Sequence, residues 1–347
     1  MNVIYDQKTY REMPQSMAVK QSDDAWHPSQ DRNYIEWWYF DLMNSDGSIV
    51  RGQFYISGNI SRPRSVRTGI RASYVKPDGT ELIIEKKFPL SSFKASTETC
   101  DVQIGNNFIK GNLSHYMLHI EDEDKALDLE LRAEIKGFTS RACFGSESKY
   151  MYWVVPQPRC QAKGVFKTAN ETLNIEGTGY RDHNWLNFPP MDFLAYWDWG
   201  RIYDKEFTLI FADIVTTKRF NNAEIKPLLI YDSDKMVYLT TEAARWNLTK
   251  GDISLDPETK TDIPLIHLLN AHEDGLSLQL NLQLKSVFQK IDLLADFNPI
   301  ARFLIRTFKA KPTITSFFST ASGELNIKGQ PYALNCTAIH EFVKNTR

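Results

Sequence analysis

The sequence predicts an all-β protein built from two tandem β domains. Two observations carry this. Short runs rich in β-branched and aromatic residues recur along the chain with turn signals between them. The long amphipathic helices that would connect strands of a parallel sheet are missing. The first half holds SYVKPDGTELIIEKKF, QIGNNFIKGNLSHYMLHI, ALDLELRAEI and GVFKTANETLNIEGTGY. The rhythm resumes in FTLIFADIVTT, KPLLIYDSDKMVYLTT, LSLQLNLQLKSVF and GELNIKGQPYALNCTAIHEF.

Taken in order, Asp46-Gly47 and Asp78-Gly79 each sit between strand-like flanks and predict hairpins. NFPPMD, 187–192, is the best seam, because its two prolines cannot donate to a central ladder. The expected domains are therefore 1–190 and 191–347. One segment breaks the pattern: NPIARFLIRTFKAKP has Asn298 as N-cap, Pro299 at the first helical position and Pro312 beyond the end. Ile300, Phe303, Leu304 and Phe308 line one helical face and Arg302, Arg306 and Lys309 the other. The ordinary reading is a short helix flanking or plugging a barrel. The sharper one is a basic surface, 299–310, that touches a membrane transiently.

A chain of 347 residues, 42% hydrophobic, can supply a substantial core. Its formal charge of −2 offers no basic field for phosphate backbones, so nucleic acid is not an expected partner. The polar segment MNVIYDQKTYREMPQ lacks the apolar core of a signal peptide, and no run of about 18–20 apolar residues follows. A cytoplasmic protein is expected. Cys100, Cys143, Cys160 and Cys336 show neither CxxC spacing nor a His-rich companion, so reduced thiols are expected and not a zinc site or disulfides.

The chemistry concentrates in four stretches. In YIEWWYFD a strand would put Tyr34, Glu36, Trp38 and Phe40 on one side, a carboxylate among rings. Either Glu36 is a buried ion pair that fixes register, or it is aimed into a ligand cavity. YWDWGRIY repeats the puzzle, with Tyr196, Asp198 and Gly200 on one face and Trp197, Trp199 and Arg201 on the other. Arg51, Arg71, Arg181 and Arg201 are candidate partners for such carboxylates.

In GTGYRDHNWLNF, the GxG lacks the helix and third glycine of a dinucleotide fingerprint. Its His183 and Trp185 share a strand face, which presents an imidazole and an indole together. A hydrogen-bonded structural histidine is the plainer reading. The other histidines show no ligand spacing with His183. Finally, Asp213 stands in the apolar strand LIFADIVTT, where a carboxylate must find a donor or stay protonated. A protonated carboxylic acid is what protonation of a carbon–carbon double bond requires.

EWWYFD, the GxGYxDHNW block and the following WxWGRIY together resemble the carotenoid 1,2-hydratase (hydroxyneurosporene synthase) superfamily, which also holds tocopherol cyclases and decalin-forming Diels–Alderases. The resemblance implies an N-terminal β-sandwich, a C-terminal lipocalin-like β-barrel and a ligand cavity at or near their junction. It implies no metal and no organic cofactor. His183 and Trp185 match the hydratases' His-x-Trp pair. Phe211 and Asp213 match their Tyr-x-Asp pair in part, because Phe211 replaces the tyrosine.

The expected function is a cofactor-independent cyclase or hydratase acting on a hydrophobic polyene or isoprenoid. Asp213 would be the proton donor and His183 the base or water-holder. Trp185, Trp38 and Trp197 would be aromatic walls, with Glu36, Tyr196, Trp199 and Phe211 completing the substrate contacts. Two alternatives stay open: a pericyclase working by conformational restriction alone, and a non-catalytic carrier of an apolar ligand.

Overall fold

The computed structural model describes residues 1–257, 262–292, 294 and 313–344. The expected helix at 299–310, and with it the expected membrane contact, lies outside the described residues. Among those residues no helix is long and apolar enough to cross a membrane. The protein is all-β in character, 66% strand and 7% helical, in two β units: Met13–Pro189, and Pro190–Arg347 together with Met1–Glu12.

The first unit is one antiparallel sheet. Its path runs through Glu81–Phe88, Arg67–Val75, Ile49–Ser57, Ile35–Asn44, Thr172–Leu186, Tyr150–Lys167, Lys125–Ala133 and His115–Asp122 to three shorter strands. Period-2 alternation turns Trp38, Phe40 and Leu42 inward, and likewise Leu127, Leu129 and Leu131 from the far part of the sheet. These six pack into one core, so the sheet folds back over itself. Each such side chain contributes roughly 1.5–3 kcal/mol by leaving water. Both Asp-Gly hairpins form. Gly47 and Gly79 take φ of +86° and +87°, left-handed positions that favour glycine.

The second unit is a curled, half-barrel sheet. Its order is Thr9–Tyr10, Lys235–Thr240, Leu228–Asp232, Phe207–Thr216, Leu194–Tyr203, Gln330–Lys344, Thr313–Ile327, Leu276–Asp292, Asp262–Glu273 and Trp246–Leu255. Leu209, Phe211, Leu269, Leu280, Ala321 and Ala338 form its concave core.

Residues 1–12 differ from expectation, since they belong to this second unit. Thr9 and Tyr10 pair with Thr240 and Leu239. The Lys8 N–H donates to Thr241 Oγ1 (2.8 Å), whose hydroxyl donates to the Asp6 carbonyl (2.6 Å). The strand Lys235–Thr240 would otherwise present an open edge, and these residues satisfy it.

Candidate functional site

In the first unit, strand register assembles the opening octapeptide and the GTGYRDHNW block. Glu36 stands opposite Trp185, Trp38 opposite His183 and Phe40 opposite Arg181. All share the inner face. A short 3-10 turn, Gln21–Asp24, brings Asp24 and then His27 against this face.

Glu36 is fully buried and is the hub. Its Oε1 lies 2.9 Å from His183 Nε2 and 3.3 Å from His27 Nδ1, and accepts the His27 backbone N–H at 3.0 Å. The Tyr34 hydroxyl reaches Oε2 at 2.9 Å and the His27 carbonyl at 2.5 Å. Burial would raise the Glu36 carboxyl, but bonds from His183 and His27 hold it below its ordinary value. Burial also lowers His183, against the pull of Glu36. The pair is therefore a carboxylate accepting Nε2–H from a neutral imidazole.

The arginine expected beside Glu36 is elsewhere. Arg181, opposite Phe40, forms a fully buried bidentate pair with Asp24 at 2.9 and 2.8 Å, and its guanidinium lies 4.1 Å from the Tyr116 ring centroid. Arg71 turns to Glu85. Histidine fills the role, and Asp24, delivered by the turn, takes Arg181. The rings order themselves around the hub: Trp38 stacks on His183 at 4.6 Å, and Tyr152, Trp185 and His27 form a stack at 4.5 and 3.7 Å. His27 is 30% exposed and joins the buried hub to solvent.

A second polar cluster occupies the concave face of the second unit. Asp198 faces Asp213 and Phe342, Gly200 faces His340, and His267 faces Lys250. Asp198 Oδ2 pairs with Lys250 Nζ at 2.6 Å, so its partner is a lysine and not an arginine. Asp213 is not alone either: the Tyr196 hydroxyl donates to its Oδ2 at 3.3 Å, and Lys226 Nζ lies 3.7 Å from Oδ1. Burial nonetheless raises its carboxyl, with the Asp198 charge adding to the effect and Lys226 opposing it. Phe211 shares this face, whereas Trp197 and Trp199 pair with Ile214 and Ala212 on the reverse face.

The structure thus gathers Glu36, Trp38, His183 and Trp185 in one unit, and Tyr196, Phe211 and Asp213 in the other. Sequence reasoning passed over Asp24, His27, Lys226, Lys250, His267, Ser319 and His340. The signal for His267 and His340 was available: each stands at an inward position of an alternating strand. Two groups each offer three ligand atoms within 4.8 Å of one another: His27, Glu36 and His183, and Asp198, His267 and His340. The four cysteines are buried thiols.

A profile of the Svf1 family matches residues 4–342. A hydroxyneurosporene dehydrogenase of Chlorobaculum tepidum is 23% identical over 223 residues, 54% of this chain. The match covers 58% of that protein's length. Among solved structures, a Nitrosomonas europaea protein assigned to AttH superposes with a TM-score of 0.67 at 15% identity, over 97% of this chain and 100% of that one. Kievitone hydratase of Nectria haematococca gives 0.62 at 17% identity, covering 95% and 94%. CghA with Sch210972 gives 0.58 at 13%, covering 99% and 98%. At these identities the structures share the fold.

Proposed function

The chain belongs to the Svf1 family, and we propose that it is a cofactor-independent enzyme that protonates an alkene of a hydrophobic polyene or isoprenoid and so cyclises or hydrates it. One observation carries the reading: Asp213 sits on an otherwise apolar concave strand beside Phe211, buried, with its carboxyl raised toward the protonated form. The acid proton passes to one alkene carbon, the π pair forms the new C–H bond, and the neighbouring carbon becomes the cation. The resulting Asp213 carboxylate stands beside Tyr196 and Lys226, which stabilise its charge.

Cyclisation ends when a base takes a proton from the cation. Hydration ends when water adds. The Asp213 step lies within the second unit; His183, oriented by Glu36 and flanked by Trp38 and Trp185, is a separate candidate base or water-holder in the first unit. The names of two relatives, a hydratase and a hydroxyneurosporene dehydrogenase, support this class of substrate.

The test is mass spectrometry of lipophilic extracts from producing cells carrying wild type or Asp213→Asn. A precursor of the product's own mass in the mutant identifies a cyclase, and one lighter by a water identifies a hydratase. Matching extracts overturn the acid reading.

A second reading, a pericyclase, draws on Lys226. An ammonium 3.7 Å from Asp213 Oδ1 favours a carboxylate there and can itself donate to a carbonyl of a folded polyene. It expects Asp213→Asn to remain active and Lys226→Met to lose activity.

A further inference from the structure

The two histidine–carboxylate clusters look alike in composition and differ in how their polar atoms are satisfied. Around Glu36 the carboxylate is satisfied: His183 Nε2, the His27 backbone and Tyr34 all reach it. Around Asp198 the contacts do not close. Asp198 Oδ1, His267 Nε2 and His340 Nδ1 are buried, and none has a hydrogen-bond partner among the described residues. The residues are 0%, 1% and 1% exposed. Three orphaned donor or acceptor atoms in one buried spot are costly, since each unsatisfied group carries a desolvation penalty of about 1–3 kcal/mol.

We propose that Asp198, His267 and His340 bind a divalent first-row transition metal ion through Asp198 Oδ1, His267 Nε2 and His340 Nδ1. A ligand atom from each residue lies within 4.8 Å of the others. Asp198 Oδ1 and His267 Nε2 are 3.6 Å apart, too far for a hydrogen bond. Ligands about 2.1 Å from a common Zn2+ at a tetrahedral angle stand roughly 3.4 Å from each other, close to that separation. Two imidazoles and one carboxylate form the donor set of Zn2+ and Fe2+ centres that keep open positions.

The surroundings prepare each ligand. The Ser319 hydroxyl lies 2.8 Å from His340 Nε2. As acceptor of Nε2–H it fixes the tautomer whose Nδ1 lone pair is free, the usual arrangement behind a metal-bound histidine. Lys250 takes Asp198 Oδ2 at 2.6 Å and leaves Oδ1. His267 comes from a strand four positions along the sheet from that of Asp198, so the ion would tie two distant parts of the curled sheet together. Nothing here depends on the acid-catalysis reading, and the site departs from the metal-free expectation.

The experiment is a Co2+ titration of the full chain after chelator treatment, read by visible absorption and by metal content. The expected result is one equivalent per chain with the bands of a nitrogen- and oxygen-ligated ion. His267→Gln and His340→Gln should each weaken binding at least tenfold, while His27→Gln, at the satisfied cluster, leaves it unchanged. Should either glutamine variant fail to fold, Ser319→Ala decides, with an expected loss of about tenfold. Absent bands, or binding that follows His27 and ignores His267, His340 and Ser319, would overturn the site.

Discussion

Asp198 and Asp213 stand directly opposite one another on neighbouring strands, yet their surroundings drive the two carboxyls in opposite directions. Burial would raise Asp198, but His267 and Lys250 outweigh it and hold the group below its ordinary value. Asp213 is raised, first by burial and further by the charge on Asp198. Two facing carboxyls, one charged and one inclined to keep its proton, are a division of labour that acid catalysis uses.

Asp213→Asn should lower turnover by roughly 10²–10⁴ while the protein stays folded, the usual contribution of a positioned general acid. Asp198→Asn removes a charge that raises Asp213, so the basic limb of the pH–rate profile should move to lower pH. An unmoved limb would separate the two groups.

Asp24→Asn leaves the Arg181 guanidinium buried without its partner and should cost about 3–5 kcal/mol. Urea unfolding measures it. The double variant Asp24→Leu/Arg181→Met, which removes both charges, should recover much of the loss. Equal instability in single and double variants would mean that packing and not charge is at stake.

Stability should fall on acidification. His183 and His340 have folded pKa values below 6.5, so under that pH the unfolded chain binds protons that the folded chain refuses. Their contribution is fully present above pH 6.5 and drains away as pH drops through the folded values. Glu36 and Asp198, lowered from 4.5 and 3.8, add a further loss at more acid pH. Tm should be flat near neutrality and decline below about 6.5, with a shallower decline in His183→Gln.

Gly200→Ala should destabilise the second unit by about 1–3 kcal/mol. A Cβ there would meet the buried Phe211 ring at 2.5 Å. The additional substitution Phe211→Leu should relieve the strain, and thermal melts of the two variants compare them directly.

The strands, the hairpins and the faces of Glu36, His183 and Trp185 were legible because alternation is a local property of the sequence. What Glu36 touches was not. Four arginines were candidates on charge alone, but the partners are His27, on a segment outside any strand, and His183. No periodicity encodes where an irregular segment lands. His267 meets Asp198 only because the sheet curls, a long-range property invisible in either strand alone. Even Ala212, one residue from Asp213, lies on the reverse face opposite Trp199, so enlarging it would leave the concave surface unfilled.

Lys8 and Thr241, hydrogen-bonded to each other, are 233 residues apart. During synthesis Thr9 and Tyr10 must therefore wait for their sheet partners while the whole of Met13–Pro189 emerges and forms its own sheet. The closing of Thr9 and Tyr10 onto Leu239 and Thr240 is a late event in the life of the nascent chain, and it seals an edge that would otherwise recruit strands from neighbouring polypeptides.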